Sequence, residues 1–95
     1  MSGRRSRLDR ADAEAIALAA LIFLAEDGGR LGRFLAETGI DAGDLKRSAG
    51  EPGTLAAVLD HVTRDESLLL VFAAGTGHAP EQVTLAAALM SGEAA

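Results

Sequence analysis

The chain has 95 residues, enough for one small domain and too few for a second core. Hydrophobic residues make up 48% of it, twenty of them Ala, with three Phe and no Trp, Tyr or Cys; this excludes a disulfide scaffold, a Cys-ligated metal site and an intrinsically disordered chain. The net charge of −5 is unevenly spread: Arg4, Arg5, Arg7 and Arg10 face only Asp9 at the start of the chain, while everything from Ala11 onward is strongly acidic, so general nucleic-acid affinity would have to come from the basic arm alone.

Residues 1–7 (MSGRRSR) lack periodicity and read as a disordered basic arm. An apolar run follows at 15–25, AIALAALIFLA. Asp9, Asp12 and Glu14 just before it, and Glu26 and Asp27 just after it, speak against a signal peptide. A membrane span needs about 20 apolar residues, so a run of eleven predicts a buried core helix in a cytoplasmic protein without membrane association.

Ala, Leu and Glu dominate 8–26 without a Gly or Pro, which predicts a first helix over that range, with Asp9, Asp12 and Glu14 in its early turns. From Ala15 onward it has no polar face, so that half requires cover on every side, from its own domain or from a second subunit. Gly28 and Gly29 break the chain. The next helix carries Leu31, Phe34 and Leu35 on one face and ends at Gly39, a left-handed C-cap. Asp41 then suits an N-cap, with Asp44 three residues on as a short capping-box variant, and Ile40 and Leu45 have the spacing of a hydrophobic staple. This short helix stops at Gly50.

Pro52 suits the first turn of a fourth helix whose buried face is Leu55, Leu59 and Val62, with Val58 beside them. Thr63 and Glu66 have the spacing of a capping box for a fifth helix containing LLLVFAA (68–74). Seven apolar residues in a row also suit a buried strand, but no partner strand exists in the chain, so helix is preferred. Gly75 and Gly77 close it. Pro80 opens the last helix, with Val83, Ala87 and Met90 along one side and Leu85 and Leu89 on another. Ala79 is a poor cap, which predicts fraying, and Gly92 is expected to end the order.

Laying Leu31 over Leu69 aligns LGRFLAETG (31–39) with LLVFAAGTG (69–77), and in that register each helix break falls at a matching place. The chain then reads as two related three-helix units. Two copies of one corner, whether from duplication or from a shared capping solution, should look alike in space.

Catalytic chemistry is thinly represented. His61 and His78 are the only imidazoles, neither with metal-ligand spacing, and no Ser lies in a Gly-x-Ser-x-Gly context. Asp60, His61, Asp65 and Glu66 gather at one helix junction, a weak candidate polar cluster for acid–base or cation chemistry that otherwise reads as a solvated corner. Gly28, Gly29 and Gly32 beside Arg30 and Arg33 suggest an anion-binding turn. No strand precedes them and no Gly-Lys-Ser/Thr follows, so a nucleotide loop lacks its context.

The corner at 31–49, followed by PGTLAAVLDHV, resembles the helix-turn-helix region of tetracycline-repressor-type regulators over residues 30–62. Leu35 stands where that motif prefers Ala. Asp41 and Asp44 begin the would-be reading helix, Lys46 and Arg47 are its only cations, and the aromatic residues that usually close the region are missing.

The run from ALIFLAEDGGRLGRFL through LAAVLDH to DESLLLVFA resembles a family of short helical bacterial proteins, seen chiefly in alphaproteobacteria, described only as a domain of unknown function. The likeness covers most of residues 11–92. It implies a helical fold and carries no chemistry to any position. One departure is Ala79, where relatives tend to place Asp.

The sequence thus predicts one all-α domain over 8–92, a compact bundle of five or six short helices around a buried first helix, and a disordered tail at 93–95. It predicts a non-enzymatic interaction module or adaptor for a protein partner, without cofactor or metal. Arg4, Arg5, Arg7, Arg30 and Arg33 are candidate contact residues. The apolar segments 15–25 and 68–74 exceed what one layer of short helices covers, which predicts a homodimer. The alternative function is a DNA-binding regulator using a degenerate helix-turn-helix at 31–49.

Overall fold

Asp9 caps the first helix. Its carboxylate accepts from the Asp12 N–H at 2.8 Å while the Asp12 carboxylate accepts from the Asp9 N–H at 3.1 Å, a reciprocal box that begins α1 at Arg10 instead of Leu8. The computed structural model describes residues 8–94, so Arg4, Arg5, Arg7 and the expected basic arm lie outside the described residues, as does Ala95. The described residues form six helices in chain order: α1 (Arg10–Ala25), α2 (Gly28–Thr38), α3 (Ala42–Ser48), α4 (Pro52–Arg64), α5 (Glu66–Thr76) and α6 (Pro80–Ala94). No strand occurs among them, and the apolar run at 68–74 is helical. None of the described helices is long and apolar enough to cross a membrane.

The caps explain where most of these helices begin. Asp27 accepts from the N–H groups of Gly29 and Arg30, so Gly28 and Gly29 form the first turn of α2. Asp41 accepts from Gly43 N–H to start α3, with Leu45 buried in the core and Ile40 partly buried against it. The Thr63–Glu66 box predicted for α5 does not form. The Thr63 hydroxyl instead donates back to the Leu59 carbonyl at 2.8 Å inside α4, and Asp65 caps α5 by accepting from Leu68 N–H. At α6 the side chain of Gln82 accepts from Ala79 N–H, supplying half a box where Ala79 cannot. That helix runs past Gly92 to Ala94, where the sequence pattern placed the end of order.

α1, α4 and α6 form the centre. Each packs on the other two, and α2 and α5 flank them. Ile16, Ala17, Ala20 and Leu24 of α1 meet Leu55, Val58, Leu59 and Val62 of α4 and Val83, Ala86 and Met90 of α6 in one core. Ala86, not Ala87, takes the fully buried place on α6. The wrap around α1 is incomplete: Ala15, Leu18, Ile22 and Ala25 remain exposed. The shortest dimension of the fold is 18 Å, the thickness of two helix layers, and two layers cannot cover a helix that is apolar all round.

The register that lays Leu31 over Leu69 holds in space. α2 and α5 are each 11 residues long and start at matching positions, as do α3 and α6. α2 ends at Gly39 with φ 75° and α5 at Gly77 with φ 78°, the left-handed conformation that glycine adopts without a Cβ penalty. In both corners a threonine hydroxyl, Thr38 or Thr76, donates at 2.8 Å to the carbonyl of a fully buried phenylalanine, Phe34 or Phe72. The halves also exchange aromatic contacts. Phe34 of α2 packs on His61 of α4, and Phe72 of α5 packs on Phe23 of α1, with ring centroids 5.3 Å apart in both cases. In the same register His61 is the counterpart of Phe23. The exchange is reciprocal, although α6 packs on both α1 and α4 while its counterpart α3 does not take that place.

Candidate functional site

Of the polar cluster predicted at the α4–α5 junction, His61 and Asp65 line one cleft, while Asp60 is engaged elsewhere. Asp60 and Arg64 are one helical turn apart and pair at the surface, at 2.6 Å. Asp65 is committed to the α5 cap. His61 turns the other way, into the space between α4 and α2, and is only 8% exposed. The solvated corner is therefore wrong for His61. The cause is its place in the α4 register: three residues after Val58 and one before Val62, it lies on the helix's buried side.

The partner of His61 comes from α2. Its Nδ1–H donates to Glu37 Oε1 at 2.9 Å, and the edge of its ring meets Phe34 at an interplanar angle of 75°. A carboxylate can only accept, so this bond places the hydrogen on Nδ1. Nε2 is buried and has no hydrogen-bond partner among the described residues. An unpartnered buried polar atom costs about 1–3 kcal/mol. At the matching place in the other half, Phe23 makes the same aromatic contact with carbon alone. Packing therefore does not require the imidazole.

A cleft opens over His61 between α2 and the α4–α5 corner. Its inner part has a volume of about 230 Å³ and lies between the first turns of α2 and α5, lined by Asp27, Gly29, Arg30, Arg33, Asp65 and Leu68 as well as His61. It continues along α2 past Arg33 to Glu37 and Arg64. Arg30 lies with its guanidinium carbon 4.2 Å from the centre of the Phe23 ring, a cation–π contact. Neither Arg30 nor Arg33 has a carboxylate within ion-pairing distance among the described residues. Of the predicted contact residues in the body, both thus fall in this cleft. Glu37 was not anticipated. Its acidic side chain on a short helix carries no signal until the fold brings His61 to it.

The glycine-rich turn at 28–32 is the start of α2, with its N–H groups already bonded to Asp27, and not an open phosphate loop. The predicted helix-turn-helix corner forms as α2, Gly39 and α3. α3 is seven residues long, starts on Asp41 and Asp44, and turns Arg47 back onto Asp44. Lys46 is then the only basic side chain of α3 without an ion pair among the described residues. His78 sits in the α5–α6 turn with its ring centroid 6.2 Å from that of Phe72. No three His, Asp or Glu side chains come together as a cation-binding set among the described residues.

The fold defines the class: a small all-α domain whose described residues form six helices built on a repeated helical corner. The family model described as protein of unknown function (DUF3572) matches residues 10–93, and the chain belongs to that family. No curated protein and no solved structure matches it.

Proposed function

We propose that the protein is a non-enzymatic helical interaction module that acts as a homodimer in the bacterial cytoplasm. One observation carries this reading. The large hydrophobic side chains left exposed among the described residues are Leu18 and Ile22 on α1, Leu70 and Val71 on α5, and Leu85 on α6, each 42–59% exposed. These three helices pack on one another. Large exposed apolar surface on a small domain marks a place of association.

The other half supports the reading by contrast. In the register of the repeat, the counterparts of Leu18, Ile22, Leu70, Val71 and Leu85 are Ala56, Asp60, Gly32, Arg33 and Arg47. At the four counterparts on α2 and α4 the repeated architecture accepts small or charged residues, so the apolar choices on α1 and α5 are not needed to make the fold. A self-complementary patch meeting its copy across a two-fold axis would cover them.

The test is the mass of the full chain in solution by light scattering at micromolar concentration, beside an Ile22→Glu/Val71→Glu variant. We expect a dimer for the unaltered chain and a monomer with unchanged helical circular dichroism for the variant. A monomer at every concentration for the unaltered chain overturns self-association.

A further inference from the structure

We propose that two copies of the chain are joined through α1, whose outward stripe packs on the same stripe of the second copy. The inference rests on the self-association reading and adds to it which helix meets the partner. Ala13, Ile16, Ala17, Ala20 and Leu24 face the core, and on the opposite side of the same helix Ala11, Ala15, Leu18, Ile22 and Ala25 are all exposed. Along this outward stripe the spacing alternates between four and three residues, the a/d spacing of a heptad seam, with Leu18 at a d position and Ile22 at an a position. At 1.5 Å per residue the stripe is about 21 Å long.

No polar residue interrupts the stripe. Its shoulders are apolar in the middle, at the half-buried Ala19 and Leu21, and charged only toward the ends, at Asp12, Glu14 and Glu26. The other exposed apolar side chains lie on shorter lines. On α5 the line through Leu70 and Val71 begins at Ser67 and has only Ala74 beyond it, and on α6 the line through Leu85 begins at Glu81 and passes Ala88 to Gly92. In the register of the repeat the counterparts of the five stripe residues are Ala49, Gly53, Ala56, Asp60 and Thr63, so α4, the equivalent helix, carries no such stripe.

A second copy is the occupant because the stripe matches itself. From Ala15 through Leu18 and Ile22 to Ala25 its side chains read small, large, large, small, the same in both directions, so a two-fold axis sets like layers together whichever way the two helices run. Each copy carries a net charge of −5, so two copies repel at long range and what joins them must be apolar. The stripe is an uncharged line of that kind. Two heptads are too few for a free-standing coiled coil. Here α1 is already held helical by its packing on α4 and α6, so docking does not have to order it.

The chain has no cysteine, so an introduced thiol reports only its own neighbours. The test uses full-length Leu18→Cys, Ile22→Cys, the Leu18→Cys/Ile22→Cys pair, and Leu70→Cys and Leu85→Cys as exposed controls, each oxidised mildly and sized under denaturing, non-reducing conditions. A disulfide needs Cα atoms about 4.4–6.8 Å apart, so thiols at the seam join ahead of thiols that meet by collision. We expect covalent dimers from the single α1 variants if the helices run parallel, and from the α1 pair alone if they run antiparallel; both outcomes support the seam. Leu70→Cys and Leu85→Cys should remain monomeric chains. In light scattering, Leu18→Ala/Ile22→Ala should weaken association by about tenfold or more with unchanged helical circular dichroism. Absence of covalent dimer from every α1 variant of a chain that still dimerises, or unchanged association of the Ala variant, overturns the α1 seam and leaves self-association standing. A monomeric unaltered chain overturns both.

Discussion

Phe23 and His61 hold equivalent places in the two halves of the chain, and each lies 5.3 Å from the phenylalanine of the opposite half. One place is filled by a hydrocarbon ring and the other by an imidazole whose Nε2 is buried without a partner among the described residues. His61→Phe should therefore stabilise the protein, by about 1 kcal/mol, since it removes the unpartnered atom. The Glu37 carboxylate it releases is 58% exposed and can be hydrated. For a domain of this size that is a rise in melting temperature of roughly 4–8 °C. A lower melting temperature would show that the pocket around Phe34 is shaped for imidazole.

The two left-handed caps should behave as a matched pair. Gly39→Ala and Gly77→Ala have open space for a Cβ but force it into a φ of 75° or 78°. Each is expected to cost about 1 kcal/mol in urea unfolding, and the double variant should cost the sum, because the caps lie in different corners. Gly32→Ala, inside α2 with nothing within 4 Å of the new methyl, should change stability in the opposite direction. A large difference between the two cap variants would contradict the equivalence of the corners.

Cap identity at α5 separates two neighbouring residues. Asp65→Ala removes the acceptor for Leu68 N–H and should cost about 1 kcal/mol. Thr63→Ala removes a hydroxyl that only bonds back within α4, and should change stability by about 0.5 kcal/mol or less. Thermal melts of the two single variants check this, and the reverse order would restore Thr63 as the cap.

Leu24 and Ile22 are near neighbours on α1 and should respond in different ways. Leu24 is fully buried, so Leu24→Ala should cost about 3 kcal/mol at any protein concentration. Ile22 is exposed, so the loss from Ile22→Ala should appear only at concentrations where chains associate, following mass action. Melts across a dilution series spanning two decades distinguish the two. A concentration-independent loss at Ile22 would place that side chain in the core of the single chain.

Helix content and most boundaries were legible because they depend on neighbours in the chain. Pro52 at the start of α4 and Gly39 and Gly77 at helix ends act over a few residues, and the structure places each of them where local chemistry does. The α5 cap was misplaced because Thr63 and Asp65 are both good capping residues, and only the end of α4 at Arg64 decides between them.

The sequence by itself determined an all-α chain, its repeated corner and the apolar character of α1 and α5, since these follow from propensity, capping and composition. Tertiary structure alone decided that Glu37 would reach His61, that Arg30 and Arg33 would share a cleft with it, and that Leu18 and Ile22 would stay open while Leu24 closed. Such contacts join residues far apart in the chain, and a helix that is apolar all round gives no local sign of which side its neighbours will cover.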